Sequence, residues 1–222
     1  QNRLTSGNRE SIWVLQFQFN VVGGGTNSDD WTRRAWIPNY SSINGFVLAD
    51  TLGGRGIAQL VPMKWWVGTA RTNADGNVPG IFDAGDIRNS NYNIKRDWYY
   101  NNSGDASLFG KRAPITEQTW FTTKTLFPAI TKFFYGRVEN LSLTGSYKDR
   151  MKFRLAETYL LLAEAYLGQN DPQKAADAVN EVRDRAGATL VSAAEMDMDY
   201  LLDERIRELV GEESRRFTLV RT

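Results

Sequence analysis

The chain has 222 residues, of which 41% are hydrophobic, and a formal net charge of +1. Such a chain can bury a sizeable core, but a charge this close to zero gives no sign of a nucleic-acid-binding field, so nucleic acid is not an expected partner. It contains no histidine and no cysteine, which excludes Ser-His-Asp and Cys-His nucleophiles and the usual zinc sites within it.

Residues 1–150 are predicted to form a loop-rich segment with a few short strands and helices. Ile12 to Val22 alternates and is rich in aromatic and branched residues, which predicts a strand. The triple glycine at Gly23–Gly25 ends it and opens a loop that runs to Gly56. Long loops of this kind are usually retained for function.

The remainder of this segment predicts only short elements. A short helix is expected at Pro62–Thr69, a turn at Asp75-Gly76, an extended stretch with an edge strand at Arg88–Tyr100, and a strand at Phe127–Tyr135. Three tryptophans lie within apolar sequence patterns: Trp13, Trp65 and Trp66. Tryptophans in such patterns are more often packed in the protein core than exposed. We therefore expect these three rings to be buried.

Residues 151–222 predict helices, beginning with a hairpin at Lys152–Leu167 and Pro172–Ala186. Its spacing matches a tetratricopeptide repeat of about 34 residues. Two apolar stripes recur at helical period and should face each other: Tyr159, Leu162, Ala163 and Tyr166 on the first helix, and Ala175, Val179, Val182 and Ala186 on the second.

The residues that flank the hairpin helices support these limits. Gly168 can end the first helix, Asp171 can cap the second, and Pro172 fits its first turn, where a missing N–H costs nothing. Gly187 can end the second helix. No other window matches the repeat, and repeats of this type need about three neighbours for stability. The hairpin should therefore lean on other parts of the protein.

A third helix is expected at about Asp197–Val210. Leu202, Ile206 and Leu209 should face inward. Its charged residues are predicted to form mainly a solvated face with ordinary i,i+4 pairs: Glu204, Arg205, Arg207 and Glu208.

The sequence resembles the SusD/RagB family, the glycan-binding outer-membrane lipoproteins that Bacteroidetes pair with a transporter. The most specific matches lie from Arg154 onward: Arg154–Ala165, Val179–Gly187, Leu202–Leu209, Gly211-Glu212 and Arg215–Arg221. Earlier pieces are also similar: Glu10–Phe17, Asp86–Arg88 and Phe127–Phe133.

The resemblance implies a mostly α, SusD-like fold with one tetratricopeptide-type hairpin and a loop-rich segment with a few short strands. It implies a non-catalytic receptor at the cell surface of a Gram-negative bacterium, which delivers oligosaccharides to a SusC-like TonB-dependent outer-membrane transporter. The family's N-terminal half, with its signal peptide and lipidated cysteine, is expected to be absent here, and membrane attachment would come only through that N-terminus. The sequence has no apolar run of about 18 residues.

The aromatic residues of the long loop favour sugar binding. A pyranose ring packs its C–H face on an indole while nearby polar groups take its hydroxyls. Trp31 and Trp36 are the predicted platform. Their predicted polar partners are Asp30, Arg33, Asn39 and Tyr40.

Two other functions are left open. A tetratricopeptide scaffold for proteins or peptides would be favoured by burial of Trp31 and Trp36. A glycoside hydrolase would need two carboxylates about 5–10 Å apart across a cleft, with these candidates in loop-like segments: Asp29, Asp30, Asp83, Asp86 and Asp97. No cofactor is expected, and no metal, because Arg71 stands where a calcium loop at Asn73–Asn77 would begin with aspartate. Neither the glycan nor a peptide alternative can be selected from residue types.

Overall fold

The computed structural model describes residues 7–26, 29–69, 80–134 and 141–222. The predicted turn at Asp75-Gly76, the rejected calcium loop at Asn73–Asn77 and the last residue of the predicted strand, Tyr135, lie outside the described residues. Contacts between Cα atoms divide the chain into two units. We call them the helical unit (Gln1–Gln16, Ile81–Asn89 and Asp149–Thr222) and the loop-rich unit (Phe17–Gly80 and Ser90–Lys148).

Helices are the dominant regular elements of the described chain. They are α1 Thr32–Trp36, α2 Lys64–Val67, α3 Leu155–Gly168, α4 Pro172–Arg185, α5 Met198–Leu209 and α6 Arg215–Arg221. The strands are β1 Ser11–Leu15, β2 Ile94–Lys95, β3 Trp98–Tyr99, β4 Arg112–Ala113, β5 Ala129–Ile130 and β6 Arg150–Arg154. They form three separate antiparallel pairs, β1 with β6, β2 with β5 and β3 with β4. The predicted fold class, mostly α with a few short strands, is confirmed.

The predicted hairpin is present as α3 and α4 of the helical unit, but its first helix begins at Leu155 and not at Lys152, because residues 152–154 pair with β1 as part of β6. Ala163 and Ala175 are both fully buried in one apolar cluster, which allows the two helices to approach closely. Asp171 accepts a hydrogen bond from the backbone N–H of Lys174 at 3.1 Å, and Pro172 occupies the first turn. The predicted cap and the predicted stripe of α4 are therefore confirmed.

The predicted stripe of α3 is wrong at one position. Leu162 is 41% exposed, whereas Leu160 is fully buried. Tyr159 and Tyr166 pack only partly against the cluster. The buried face of α3 therefore runs through Ala156, Leu160 and Ala163.

Helix α5 is where the sequence-based prediction fails most clearly. Asp197 caps it through the backbone N–H of Tyr200 at 2.8 Å, as its predicted start requires. Leu201 and Leu209 are fully buried, but Leu202 and Ile206 are only half-buried. The charged residues do not form a solvated face, because three of them are buried: Glu204, Arg205 and Glu208.

These buried charges belong to an ion network within the helical unit. Arg88 bridges Glu204 at 2.7 Å and Glu208 at 2.9 Å, and its guanidinium also binds Asp86. Glu204 further accepts from Arg183 and Arg207, and Glu208 from Arg154 and Arg185. We call Asp86, Arg88, Arg154, Arg183, Glu204 and Glu208 the buried ion network. All six of these charged groups are paired, which is the condition for burying charge.

The core of the loop-rich unit contains buried tryptophans whose indole N–H groups bind backbone carbonyls, and few helices or strands contribute to it. Trp98 is fully buried and donates its N–H to the Phe127 carbonyl at 3.1 Å. Trp120 does the same to the Pro62 carbonyl at 2.9 Å. The predicted short helix near Trp65 is confirmed as α2.

Two of the three tryptophans predicted to be buried are not. Trp66 is buried, but Trp13 is 54% exposed and Trp65 is 50% exposed. Trp13 lies on the two-stranded β1–β6 ribbon and stacks on Phe153, with ring centroids 5.8 Å apart. In the single turn of α2 only one of two adjacent rings can point inward, and Trp66 takes that place.

Three predicted strands are shorter in the structure. The first stops at Leu15, because the chain turns back on itself between Gln18 and Gly24, with a hydrogen bond from Gln18 N–H to the Gly24 carbonyl at 2.7 Å. The extended stretch at residues 88–100 forms only β2 and β3. The strand predicted at Phe127–Tyr135 is reduced to β5, which is followed by a 3-10 turn at Thr131–Phe133.

Candidate functional site

The predicted site residues lie on and around α1 in the loop-rich unit. Arg33 of α1 is buried, and its guanidinium donates to the carbonyls of Gly53 at 2.7 Å and Arg55 at 3.2 Å. It also donates to the carbonyls of Leu143 and Gly145. A guanidinium carries five donors and no acceptor, so Arg33 fastens several backbone segments together. Its burial does not fit direct contact with a glycan.

Asp30 and Tyr40 are buried as well. The Tyr40 hydroxyl donates to the Gly54 carbonyl at 2.9 Å and accepts from the Ala49 N–H at 3.2 Å, and burial raises the pKa of Tyr40. Asp30 accepts from the Thr32 N–H at 3.1 Å. Like Arg33, these two predicted partners act in the structure by holding the loop. Their contact with a glycan stays a prediction.

Trp36 and Asn39 are half-buried. The Trp36 ring packs edge-on against Trp66 at 6.1 Å and stacks on Phe133 at 6.0 Å, so much of its surface is used in internal packing. The Asn39 backbone donates to the Lys124 carbonyl at 3.1 Å. Its side-chain amide makes no hydrogen bond within the part of the chain that the structure describes, so it stays available to a ligand.

Trp31 is the predicted platform ring that reaches the surface, with 44% of the residue exposed. The Arg34 guanidinium lies over its indole at 5.4 Å from the ring centroid, within range of a cation–π interaction. Burial, and then the nearby charge of Arg55, lower the pKa of Arg34. Arg55 itself is exposed. We call Trp31, Arg34 and Arg55 the Trp31 surface.

Arg34 and Arg55 were not among the predicted site residues. Arg34 could have been found, because it stands three positions after Trp31 and such residues are neighbours on a helical turn. Arg55 carried no comparable signal. Arg55 comes near Arg34 because the Ile57 N–H donates to the Arg34 carbonyl at 3.0 Å. No sequence pattern predicts this long-range contact.

A shallow depression of about 550 Å³ lies in the loop-rich unit. It is lined by Phe19, Asn20, Val21, Val22, Gly25, Thr26 and Tyr147. The Asp29 carboxylate accepts from the N–H and the hydroxyl of Thr26, each at 2.6 Å, and these bonds lower the pKa of Asp29. Asp29 therefore fixes the rim of the depression two residues before Trp31. Volume and mixed lining are those of a site for a small ligand.

The other candidate carboxylates are tied to arginines. In the helical unit Asp86 binds Arg88 at 2.7 Å and Asp83 binds Arg183. In the loop-rich unit Asp97 binds Arg112 at 2.7 Å. Within residues 7–26, 29–69, 80–134 and 141–222, no group of three or more possible ligands could hold a metal ion.

Comparison with known proteins places these features in a family context. The model of the SusD family matches residues 9–222. A curated relative, SusD-like protein P25 of Formosa agariphila, is 36% identical over 101 residues, which is 43% of this chain and 19% of that protein. A solved structure named BT4246 is 20% identical with a TM-score of 0.46, over 99% of this chain and 41% of that chain. The chain thus spans less than half the length of either protein.

Proposed function

The chain belongs to the SusD family, and on this premise we propose that it is a non-catalytic glycan-binding protein of carbohydrate uptake. The observation that carries the proposal is the family match over residues 9–222. The name of the Formosa relative, a SusD-like protein, agrees with it.

The Trp31 surface supplies the chemistry that glycan binding needs. An exposed indole offers an apolar face for the C–H groups of a sugar ring, and Trp31 is exposed. The depression whose rim Asp29 fixes adds the Phe19 and Tyr147 rings, which meet edge to face at 5.2 Å, and the polar side chains of Asn20 and Thr26. We assign ring stacking to Trp31 and hydrogen bonding to Asn39 and the depression. Exposure of Trp31 also disfavours the pure tetratricopeptide scaffold.

The pairing of the candidate aspartates supports binding without hydrolysis. A glycosidase needs one carboxyl group free to donate a proton and a second free to act as base or nucleophile. Asp83, Asp86 and Asp97 are each engaged in an ion pair with an arginine, so neither role is open to them in this arrangement. We expect no release of reducing ends from any glycan that the protein binds.

The resemblance also supports a partner and a location. We propose that the whole protein hands oligosaccharides to a SusC-like TonB-dependent transporter at the outer membrane of a Gram-negative cell, where a lipidated N-terminus would attach it. Among the described residues no helix is long and apolar enough to cross a membrane. Copurification of the full-length protein with such a transporter would test this step.

Glycan binding itself can be tested on the purified chain. Mobility in native gels that contain single polysaccharides, followed by calorimetry, should identify at least one glycan that retards the protein. Trp31→Ala should relieve that retardation. Retardation by no polysaccharide, or release of reducing ends that a single Asp→Asn change abolishes, would contradict the proposal.

A further inference from the structure

The Trp31 surface holds two guanidinium groups that have no acidic partner among the residues that the structure describes. The structure describes five arginines in the loop-rich unit. Arg33 and Arg96 donate to backbone carbonyls, and Arg112 pairs with Asp97. Within the described chain, Arg34 and Arg55 have no carboxylate partner for their side chains.

Arg34 is in an unfavourable state without a ligand. Its Nε is buried and has no hydrogen-bond partner within the described residues. A buried donor left unsatisfied is costly, and more so when the group is charged. The positive charge of Arg55 adds to this, since it is close enough to lower the pKa of Arg34.

The neighbouring carboxylates are committed elsewhere. Asp29 is held by the backbone and hydroxyl of Thr26. Asp30 is buried and accepts from the Thr32 N–H. Asp50 accepts from the N–H of Thr51 at 2.8 Å. Among the described residues, none of these three carboxylates forms an ion pair with Arg34 or Arg55, so both guanidinium groups are open to an anion from outside.

We propose that the glycan taken by the Trp31 surface is anionic, with its carboxylate or sulfate groups bound by Arg34 and Arg55 while Trp31 packs against a sugar ring. The inference rests on the proposed glycan-binding function and adds the charge of the ligand. The guanidinium fork matches a carboxylate or an oxyanion with two parallel hydrogen bonds, which a lysine would not provide. Arg34 is already oriented by its contact with the indole.

The test uses pairs of polysaccharides that differ only in charge. One pair is polygalacturonate and its fully methyl-esterified form, and the other is a sulfated galactan and its desulfated product. We expect the charged member of at least one pair to bind at least about tenfold more tightly than its neutral form. Added salt should weaken this binding, because it screens exposed charges. The responding pair distinguishes a carboxylate ligand from a sulfate ligand.

Variants locate the effect. Arg55→Gln should weaken binding of the charged glycan about tenfold without altering the melting temperature, because Arg55 is exposed, and Arg34→Gln should weaken it as well. Arg216→Gln is the matched control. It removes the same charge from an exposed position on α6, in the helical unit, and should change nothing.

The outcomes separate this inference from the proposed function. If neutral and charged forms bind equally, or if Arg55→Gln and Arg34→Gln both leave binding intact, the inference is wrong while glycan binding stands. If the protein binds only neutral glycans through Trp31, the inference is likewise wrong and the proposed glycan-binding function stands. If no polysaccharide binds at all, the proposed function fails and the inference with it.

Discussion

The Arg154 side chain binds Glu208 at two places, the backbone carbonyl and the side-chain carboxylate of Glu208. One guanidinium nitrogen donates to the Glu208 carbonyl at 2.7 Å, and the other donates to the Glu208 carboxylate. The contact ties β6, which runs into the hairpin, to the last turn of α5. Because Glu208 also binds Arg88 and Arg185, one carboxylate joins several segments of the helical unit.

Removing the Glu208 charge should therefore destabilise the protein strongly. Breaking a buried ion pair leaves an uncompensated charge and costs about 3–5 kcal/mol. We expect Glu208→Gln to lower the free energy of unfolding by about that amount in urea titrations. Asp97→Asn is the control, because the Asp97–Arg112 pair lies at the surface and such pairs contribute about 0–1 kcal/mol. Equal losses in the two variants would contradict a structural role for the network.

The same carboxylate should make stability depend on acid pH. Burial alone would raise the pKa of Glu208, but Arg154, Arg185 and Arg88 outweigh it and lower the pKa from 4.5 to about 2. Since the folded pKa lies below the unfolded value, Glu208 stabilises the folded state above pH 4.5 and loses this effect as the pH falls toward 2. We expect the urea midpoint to fall over this window, and to fall less in Glu208→Gln. Identical pH profiles would show that Glu208 is not the group responsible.

Two leucines on α3 test the corrected face of the hairpin. Leu160 is fully buried, whereas Leu162, half a turn away, is 41% exposed. Leu160→Ala should cost about 2–5 kcal/mol through lost burial and a cavity, and Leu162→Ala less than about 1 kcal/mol. Thermal and urea unfolding of both variants provide the comparison. A larger loss at Leu162 would restore the stripe that the sequence suggested.

The hairpin was predictable because its signals are local. Helical period, the Asp171 cap and Pro172 all act within one or two turns of the residues they position. The buried ion network was not, because its partners are far apart in sequence, as in the bond between Arg88 and Glu204, 116 positions apart. When these distant partners are not known, Glu204, Arg205 and Glu208 have the pattern of an ordinary solvated helix face.

The candidate site divides in the same way. The sequence identified Trp31 by its polar surroundings, but could not show that Arg33 and Tyr40 point into the loop-rich unit, because their partners are backbone carbonyls supplied by folding. It also grouped Trp31 with Trp36 as equals. In the structure Trp31 is more exposed, and Trp36 is packed between Trp66 and Phe133.

Trp36→Ala should consequently behave as a structural variant. The half-buried ring makes two aromatic contacts, so its loss should cost up to about 3 kcal/mol, below the ~3–5 kcal/mol of a fully buried tryptophan. Glycan affinity at temperatures where the variant is folded should fall less than in Trp31→Ala. An unchanged melting temperature with lost binding would instead make Trp36 a platform residue, as the sequence first suggested.

The most direct measurement is the affinity of Trp31→Ala for the glycan that the unmodified chain binds, taken together with its melting temperature. Truncating an exposed contact ring should weaken binding by about 1–3 kcal/mol and leave the melting temperature nearly unchanged. Trp65→Ala is the matched control, because it removes an equally exposed indole from α2 and should leave both quantities intact. Unchanged affinity in Trp31→Ala would contradict the proposal that this surface binds glycans.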